Sequence, residues 1–323
     1  MTGIAAAFQD IGHVRRIKTS RDLLQIADLI ALCFEGQLDD DGKAYIHRMR
    51  QTAMSKNFSV WLNAGRSPVP LRGYVWEYNG EVVGNLTLIP FYRRREWIYL
   101  IANVAVHPDF RQRGIARHMT EKAVGKIKQK GSAAWLHVRS NNQAAYHLYR
   151  SLGFEDQGSR TSWSIPAGRS LASPMIEPPL TIQPREAADW PAHRTWFASN
   201  YPLSMAWYMA CDPTRFSPSL FSGILRFLNG QRMEHWSAQE QGKSVGVLTW
   251  EPDWYHADLL WLAADQSHEN DVITRLVPFA AQRYSYRKRR MIINYPAGRG
   301  VEAFRTLQLQ EENTLTWMVK YFR

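Results

Sequence analysis

The stretch Val104-Ala105-Val106-His107-Pro108-Asp109-Phe110-Arg111-Gln112-Arg113-Gly114-Ile115-Ala116-Arg117 has the residue types and spacing of a turn that holds an anion. An apolar run stops at Pro108, passes through Arg111-x-x-Gly114-x-Ala116, and enters a helical pattern. A helix start leaves backbone N–H groups without partners, and the helix dipole adds partial positive charge at the same place. Together they suit a phosphate or pyrophosphate. Gly114 has no Cβ, so a ligand can come close to the backbone, and Ala116 is nearly as small. Arg111, Arg113 and Arg117 bring formal positive charge to the same turn. The alternative reading is an ordinary surface helix start that carries arginines.

Such a turn needs a strand to feed it and a helix to leave it. Ile98–Val106 reads as the strand, and Arg111 to Lys130 as a helix with many cations, ended by Gly131. Ala133–Val138 reads as a buried strand. Asn142-x-x-Ala145-x-x-Leu148-Tyr149 then runs at helical spacing and closes on Leu152-Gly153-Phe154, where Gly153 is a natural stop. The two motifs lie about 30 residues apart, which suits one βαβ unit. Upstream, Val14–Ile17 reads as a strand, Ser20 to Cys33 and Gly42–Lys56 as helices, and Gly73–Tyr78 with Glu81–Ile89 as a hairpin about Asn79-Gly80. Ser162–Ile165 is the expected last strand of a first domain spanning residues 1–165.

On Arg111-x-x-Gly114-x-Ala116 and Asn142-x-x-Ala145-x-x-Leu148-Tyr149 with Leu152-Gly153-Phe154, the chain resembles the GNAT superfamily of acetyl-CoA-dependent N-acetyltransferases. The resemblance covers roughly residues 70–165 and implies an α/β fold with a mixed sheet. It implies that acetyl-CoA, as cosubstrate and with no metal, lies in a splay between two central parallel strands. Carried over, Val104, Ala105 and Val106 would meet the pantetheine arm, and the amides of Gln112, Arg113, Gly114, Ile115, Ala116 and Arg117 the pyrophosphate. Asn142 would contact CoA and cap its helix. Ala105 or Val106 would supply an N–H near the thioester oxygen. Tyr149 would donate a proton to the departing thiolate. In the N-terminal-alanine branch of the family a glutamate twelve residues before the tyrosine often relays the amine's proton; here that position is His137. An imidazole suits that work near neutrality. A structural histidine on a strand is the competing reading, and Glu96, Asn103, Tyr99 and water are the other candidates. The implied activity is acetyl transfer to a primary amine, on a small molecule or a peptide N-terminus, by direct attack. The alternative is an acyl-CoA-binding sensor or nucleic-acid-associated module that keeps the fold without catalysis.

A chain of 323 residues with 45% hydrophobic residues has room for two domains. Its two cysteines, Cys33 and Cys211, form neither a disulfide framework nor a zinc pattern. Met1–Phe8 lacks the basic and apolar regions of a signal peptide, and no apolar run reaches membrane-spanning length. The expectation is a cytoplasmic protein, monomeric or a homodimer, without a membrane partner. The net charge of +11 is uneven: residues 1–170 hold 24 Lys and Arg against 14 Asp and Glu, and the remainder 16 against 15. Steering of a polyanion such as CoA is the favoured reading, with nucleic acid as a minority one.

Residues 166–179, with Pro166, Gly168, Pro174, Pro178 and Pro179, read as a linker. Residues 180–323 then repeat the pattern: strand Leu180–Ile182, helices Pro191–Ser199 and Pro218–Leu228, hairpin Trp236–Gln239 and Ser244–Trp250, strand Asp258–Ala264, helix Val272–Tyr284, strand Met291–Tyr295, helix Val301–Leu307 and strand Thr314–Val319. At a shift of 155, Tyr149 meets Phe304; at 158, Arg111 meets Glu269 and Gly114 meets Val272. The expectation is a tandem of two GNAT-like domains, the second degenerate, with carboxylates where a pyrophosphate would sit and no phenol.

Overall fold

The computed structural model describes residues 12–38, 40–55, 72–93, 95–172, 179–209, 211–218, 233–252 and 257–322. The expected helix Pro218–Leu228, the N-terminal segment Met1–Phe8, Trp254, and Pro174 and Pro178 of the linker lie outside these residues or almost wholly so. The fold is α/β with mixed sheets, and it divides into two compact units: Met1–Gln157 with Thr316–Arg323, and Gly158–Leu315.

The first unit begins with β1 (His13–Arg16), α1 (Thr19–Cys33) and α2 (Asp40–Met54). α1 buries Leu23, Ile26, Ala27, Leu29 and Ile30, the apolar stripe its spacing dictates. Its start is tied down by Asp22, fully buried, which accepts from the Nη1 and Nη2 of Arg15 at 2.6 and 2.8 Å and from the Lys18 amide at 2.6 Å. β2 (Gly73–Tyr78) and β3 (Glu81–Arg93) form the hairpin about Asn79-Gly80, whose positive φ values of 48° and 85° are those the turn requires. β4 (Glu96–Val106) pairs antiparallel with β3, and β5 (Ala133–Arg139) runs parallel to β4. Between them lie a short 3-10 turn, Pro108–Phe110, and α3 (Ile115–Lys128); after β5 comes α4 (Gln143–Ser151). The sheet order is β1-β2-β3-β4-β5, continued by the end of β12 (Gln310–Tyr321). Met318 is fully buried in the same core as Ile115, Met119, Leu136 and Tyr149, and the Trp317 ring lies 6.5 Å from that of Trp135.

The second unit opens within β6 (Glu155–Ile165) and continues through β7 (Thr181–Pro184), α5 (Trp190–Asn200), α6 (Ala206–Met209), β8 (Glu234–Glu240), β9 (Lys243–Glu251), β10 (Asp258–Ala264), α7 (Glu269–Arg283), β11 (Met291–Pro296) and α8 (Val301–Thr306). β10 and β11 are parallel; the pairs β7–β8, β8–β9, β9–β10 and β6–β11 are antiparallel. Trp163 of β6 stacks on Phe304 at 5.0 Å within the core that α7 covers.

The units therefore differ from the expected division at 165 and 180. Residues from Gly158 onward group with the second unit, because β6 pairs with β11 from Arg160↔Pro296 to Ile165↔Met291. The segment read as a linker belongs there too: Leu171 packs on the second core and Arg169 donates to Gln308 at 3.0 Å. The place expected for Ser162–Ile165 in the first unit is taken by Thr316–Arg323, whose Phe322 amide donates to the Ser132 carbonyl at 2.8 Å and whose Lys320 ammonium donates to the Leu152 carbonyl at 2.6 Å.

Candidate active site

The parallel pairing of β4 with β5 covers Ile98↔Ala133, Tyr99↔Ala134 and Leu100↔Trp135 and goes no further. The cause is a bulge in β4. Between Asn85↔Ala105 and Thr87↔Ala102 the register against β3 slips by one residue, and Asn103 takes a positive φ of 51°. The extra residue bends β4 away from β5, so Val104, Ala105 and Val106 run beside a gap. Asn85 holds the bulge: fully buried, it donates through Nδ2 to the Asn103 carbonyl at 2.8 Å, while its Oδ1 is buried with no partner. Asn103 Nδ2 lies 3.4 Å from the Tyr45 hydroxyl, whose burial pushes its pKa up to about 12. A polar residue inside the apolar run Val82–Ile89 was the sequence signal for Asn85. Tyr45 left none.

β4 ends at Val106, and the next residue, His107, donates its amide to the Val83 carbonyl at 2.8 Å and accepts at Nδ1 from the Asp109 amide at 3.3 Å. The helix expected from Arg111 begins at Ile115, four residues later. Those four residues form an open loop because Gln112 and Gly114 are both left-handed, with φ of 62° and 78°. Alternation of this kind turns successive N–H groups toward one side and forms an anion-binding concavity. Arg111, Gln112, Arg113, Gly114 and Arg117 are exposed, Ala116 half-buried, and Ile115 is 1% exposed, which anchors the loop in the core. The arginines are positioned: Arg111 Nε donates to the Val106 carbonyl at 3.1 Å, the Arg113 guanidinium lies 5.3 Å from the Phe110 ring centre, and Arg117 donates to Ser151 Oγ at 2.7 Å. The Val106 carbonyl also accepts from the Cys33 thiol at 3.2 Å, so it is held by the chain itself. Burial pushes that thiol's pKa up.

α4 starts where expected. Asn142 caps it by accepting from the Ala145 amide at 3.1 Å. Tyr149 is 6% exposed and packs edge-on against Phe154 at 6.0 Å. No protein group among the described residues hydrogen-bonds its hydroxyl, and burial raises its pKa, so the phenol stays protonated across the working range. That suits a proton donor and rules out a base.

His137 fits its expected role less well. Its ring lies 4.9 Å from that of Trp317, and burial, with the Arg139 cation adding to it, pushes its pKa down to about 4. An imidazole of that kind is neutral at pH 7 but accepts protons weakly. We expect His137→Gln to change turnover at neutral pH by less than about threefold, below the 10²-fold or more that a working general base contributes. A pH–rate profile of wild type should likewise show no limb near pH 6.5 that the variant loses. Of the other candidates, Glu96 and Tyr99 sit at the far end of β4 from Val106, and Asn103 is engaged at the bulge.

The corresponding region of the second unit is built to the same plan with different chemistry. The Asp265 amide donates to the Val245 carbonyl at 2.9 Å, and its carboxylate accepts from the Ser267 amide at 3.0 Å, as His107 does 158 positions earlier. After a short 3-10 turn, Gln266–His268, residues Glu269 to Val272 are wound into the first turn of α7 instead of forming a loop. Glu269 accepts from Arg299 at 2.5 Å and from the Tyr295 hydroxyl at 2.6 Å. A cavity of about 630 Å³ beside them is lined by Glu269, Glu302, Arg299 and Arg305 among others. Phe304 stands where Tyr149 stands: the Phe154 amide donates to the Tyr149 carbonyl at 3.1 Å, the Leu309 amide to that of Phe304 at 3.0 Å.

Among the described residues no group of three or more His, Cys, Asp or Glu could hold a metal, and no helix is long and apolar enough to cross a membrane. Both cysteines are free.

Residues 25–154 match the model of the acetyltransferase (GNAT) family. Over 62 residues the chain is 40% identical to a [ribosomal protein bS18]-alanine N-acetyltransferase of Salmonella typhimurium, covering 19% of this chain and 42% of that protein. Over 81 residues it is 32% identical to the N-alpha-acetyltransferase RimI of Mycobacterium tuberculosis, covering 25% of this chain and 50% of that one. The chain thus spans about half or less of the length of these curated relatives. In fold it is similar to the crystal structure of a GCN5-related N-acetyltransferase from Sphaerobacter thermophilus, with a TM-score of 0.54, 14% identity and 96% of each chain covered. The bulged β4, the open loop before α3 and the tyrosine of α4 all fall within or against the matched stretch, and residues 25–154 are a GNAT-family acetyltransferase domain.

Proposed function

We propose that this protein transfers the acetyl group of acetyl-CoA to the primary amine at a polypeptide N-terminus, using the first unit. The observation that carries the reading is the coincidence, in one unit, of a gap between β4 and β5, an anion-binding loop at its end, and the unpartnered hydroxyl of Tyr149. The activities for which the curated relatives are named support the acceptor class.

The loop amides from Gln112 to Arg117 take the pyrophosphate, with Arg111, Arg113 and Arg117 around it. The backbone of Val104 and Ala105 orients the pantetheine arm and presents an N–H to the thioester oxygen. The amine nitrogen attacks the acetyl carbon, the carbon–sulfur bond breaks, and its electron pair goes to sulfur. Tyr149 gives its proton to that sulfur and regains one from solvent. The ammonium proton leaves through water, since His137 is a weak acceptor. Asn142 caps α4 and borders the CoA arm.

The second unit is a degenerate GNAT-like domain in this reading. Its loop is helical, Glu269 places a carboxylate where an anion would bind, and Phe304 has no proton to give. Calorimetric titration with acetyl-CoA tests both statements: one site per chain is expected, two sites would overturn the degenerate reading, and none would overturn the enzyme. A peptide carrying an N-terminal alanine and a small primary amine then compete for turnover, with the peptide expected to be preferred.

A further inference from the structure

The far end of the β3–β4 hairpin is not used by this chemistry. Tyr92 and Trp97 face each other across it, with ring centres 5.1 Å apart and 58% and 43% of each residue exposed. Tyr99 lies two residues along the same face, its ring 6.4 Å from Trp97. Tyr99 is half-buried against the core, whereas Tyr92 and Trp97 keep about half of their surface in water, where adjoining exposed aromatic side chains are costly to leave. The neighbouring charge is positive. Arg93 and Arg95 are exposed at the hairpin's end, and the only acid between them and Trp97 is Glu96. The end of α3 is brought to the same place. Ser132 donates to the Trp97 carbonyl at 2.9 Å, and a Cβ on Gly131 would lie 2.9 Å from both that carbonyl and the Tyr99 ring. Lys128 and Lys130, which precede Gly131 in the chain, are both exposed. Among the described residues, none of Arg93, Arg95, Lys128 and Lys130 is in an ion pair.

We propose that this surface binds single-stranded RNA. Flat faces open to solvent and interleaved with cations that lack carboxylate partners are what stacking bases and a phosphate backbone require. An acidic peptide would use the cations and leave the rings uncovered. A duplex keeps its bases stacked on one another and would do the same. The choice of RNA over DNA rests on the proposed acceptor class, since one relative acts on a ribosomal protein. The tyrosine hydroxyls and arginine forks can also hydrogen-bond a 2′-hydroxyl, which DNA lacks.

The test is fluorescence anisotropy of the full chain with a labelled mixed-sequence RNA of about 12 nucleotides, measured across a salt series. Trp97→Ala and, separately, Tyr92→Ala should each weaken binding by about tenfold, the loss expected of one stacked base. Arg93→Ala with Arg95→Ala should flatten the slope of log affinity against log salt by roughly 1.4, about 0.7 per phosphate contact on a single strand. Acetyl-CoA titration and turnover on a free peptide should be unchanged in all three, which keeps this result separate from the fate of the enzyme reading. No binding to RNA, binding indifferent to both Trp97→Ala and Tyr92→Ala, duplex bound as tightly as single strand, or single-stranded DNA bound more tightly than RNA would each overturn the proposal. So would a sedimentation shift from dimer to monomer in Trp97→Ala, which would assign the surface to a second copy of the chain.

Discussion

Tyr149→Phe should leave acetyl-CoA affinity within about twofold of wild type and lower turnover by about 10²–10³-fold, the range for loss of a general acid. The structure predicts a clean substitution. Among the described residues no group hydrogen-bonds the hydroxyl, so removing it strands no partner among them. The ring remains packed against Phe154. The second unit already carries a phenylalanine at this place, with the same backbone hydrogen bond five residues on from the ring and full burial of the side chain. Stability by urea unfolding should therefore stay within about 0.5 kcal/mol. Single-turnover kinetics with a peptide acceptor give the rate, and titration gives the affinity. Unchanged turnover would remove the phenol from the chemistry and leave solvent to protonate the thiolate.

Gly114→Glu should weaken acetyl-CoA binding by at least about 10²-fold. Two effects add. At φ of 78° a residue with a Cβ is strained by roughly 1–2 kcal/mol. The carboxylate then sits among amides that would otherwise face a pyrophosphate, and like charges about 4 Å apart repel by roughly 4 kcal/mol near a protein surface. Gly114→Ala separates the two, because it keeps the strain and omits the charge, and a loss of about tenfold is expected of it. Wild-type affinity in Gly114→Glu, with the fold intact by circular dichroism, would mean that the cofactor's phosphates are held elsewhere. In the proposed degenerate reading of the second unit, Glu269 and Val272 stand where the first unit has Arg111 and Gly114, and they lie in the first turn of α7.

Much of this was readable from the sequence because it rests on local rules. Proline at 108, glycine at 114 and 153 and asparagine at 142 mark the ends of their elements through backbone conformation and capping, and each does so in the structure. The tandem of two α/β units was readable from the order of strands and helices. The exact start of α3 was not, because Arg111, Gln112 and Arg113 are good helix formers. The left-handed turn that keeps them out of the helix is set by contacts of Ile115 and Arg111 with the rest of the domain. In the second copy the error ran the other way, since Glu269 and Asp271 favour a helix N-terminus and extend α7 by a turn. The bulge at Asn103 left no trace in the alternation of β4. The weak basicity of His137 comes from burial and from Arg139, and one of the rings against it belongs to Trp317, 180 positions away, which no spacing rule links to it. The boundary between units failed for a similar reason. Period-two alternation tells which face of a strand is buried but not which sheet receives it, so Ser162–Ile165 and Thr316–Tyr321 were indistinguishable as candidates for the same place.

That placement constrains the history open to this gene. A C-terminal unit that takes no part in the chemistry of its neighbour is ordinarily free to erode or to be deleted. Here the residues that follow the second unit in the chain, Thr316–Phe322, supply Met318 to the interior of the first and hold Trp317 against His137. A stop codon anywhere before them would strip the first unit of its closing strand. The first unit therefore cannot be made without translating through the whole of the second, whatever the second does.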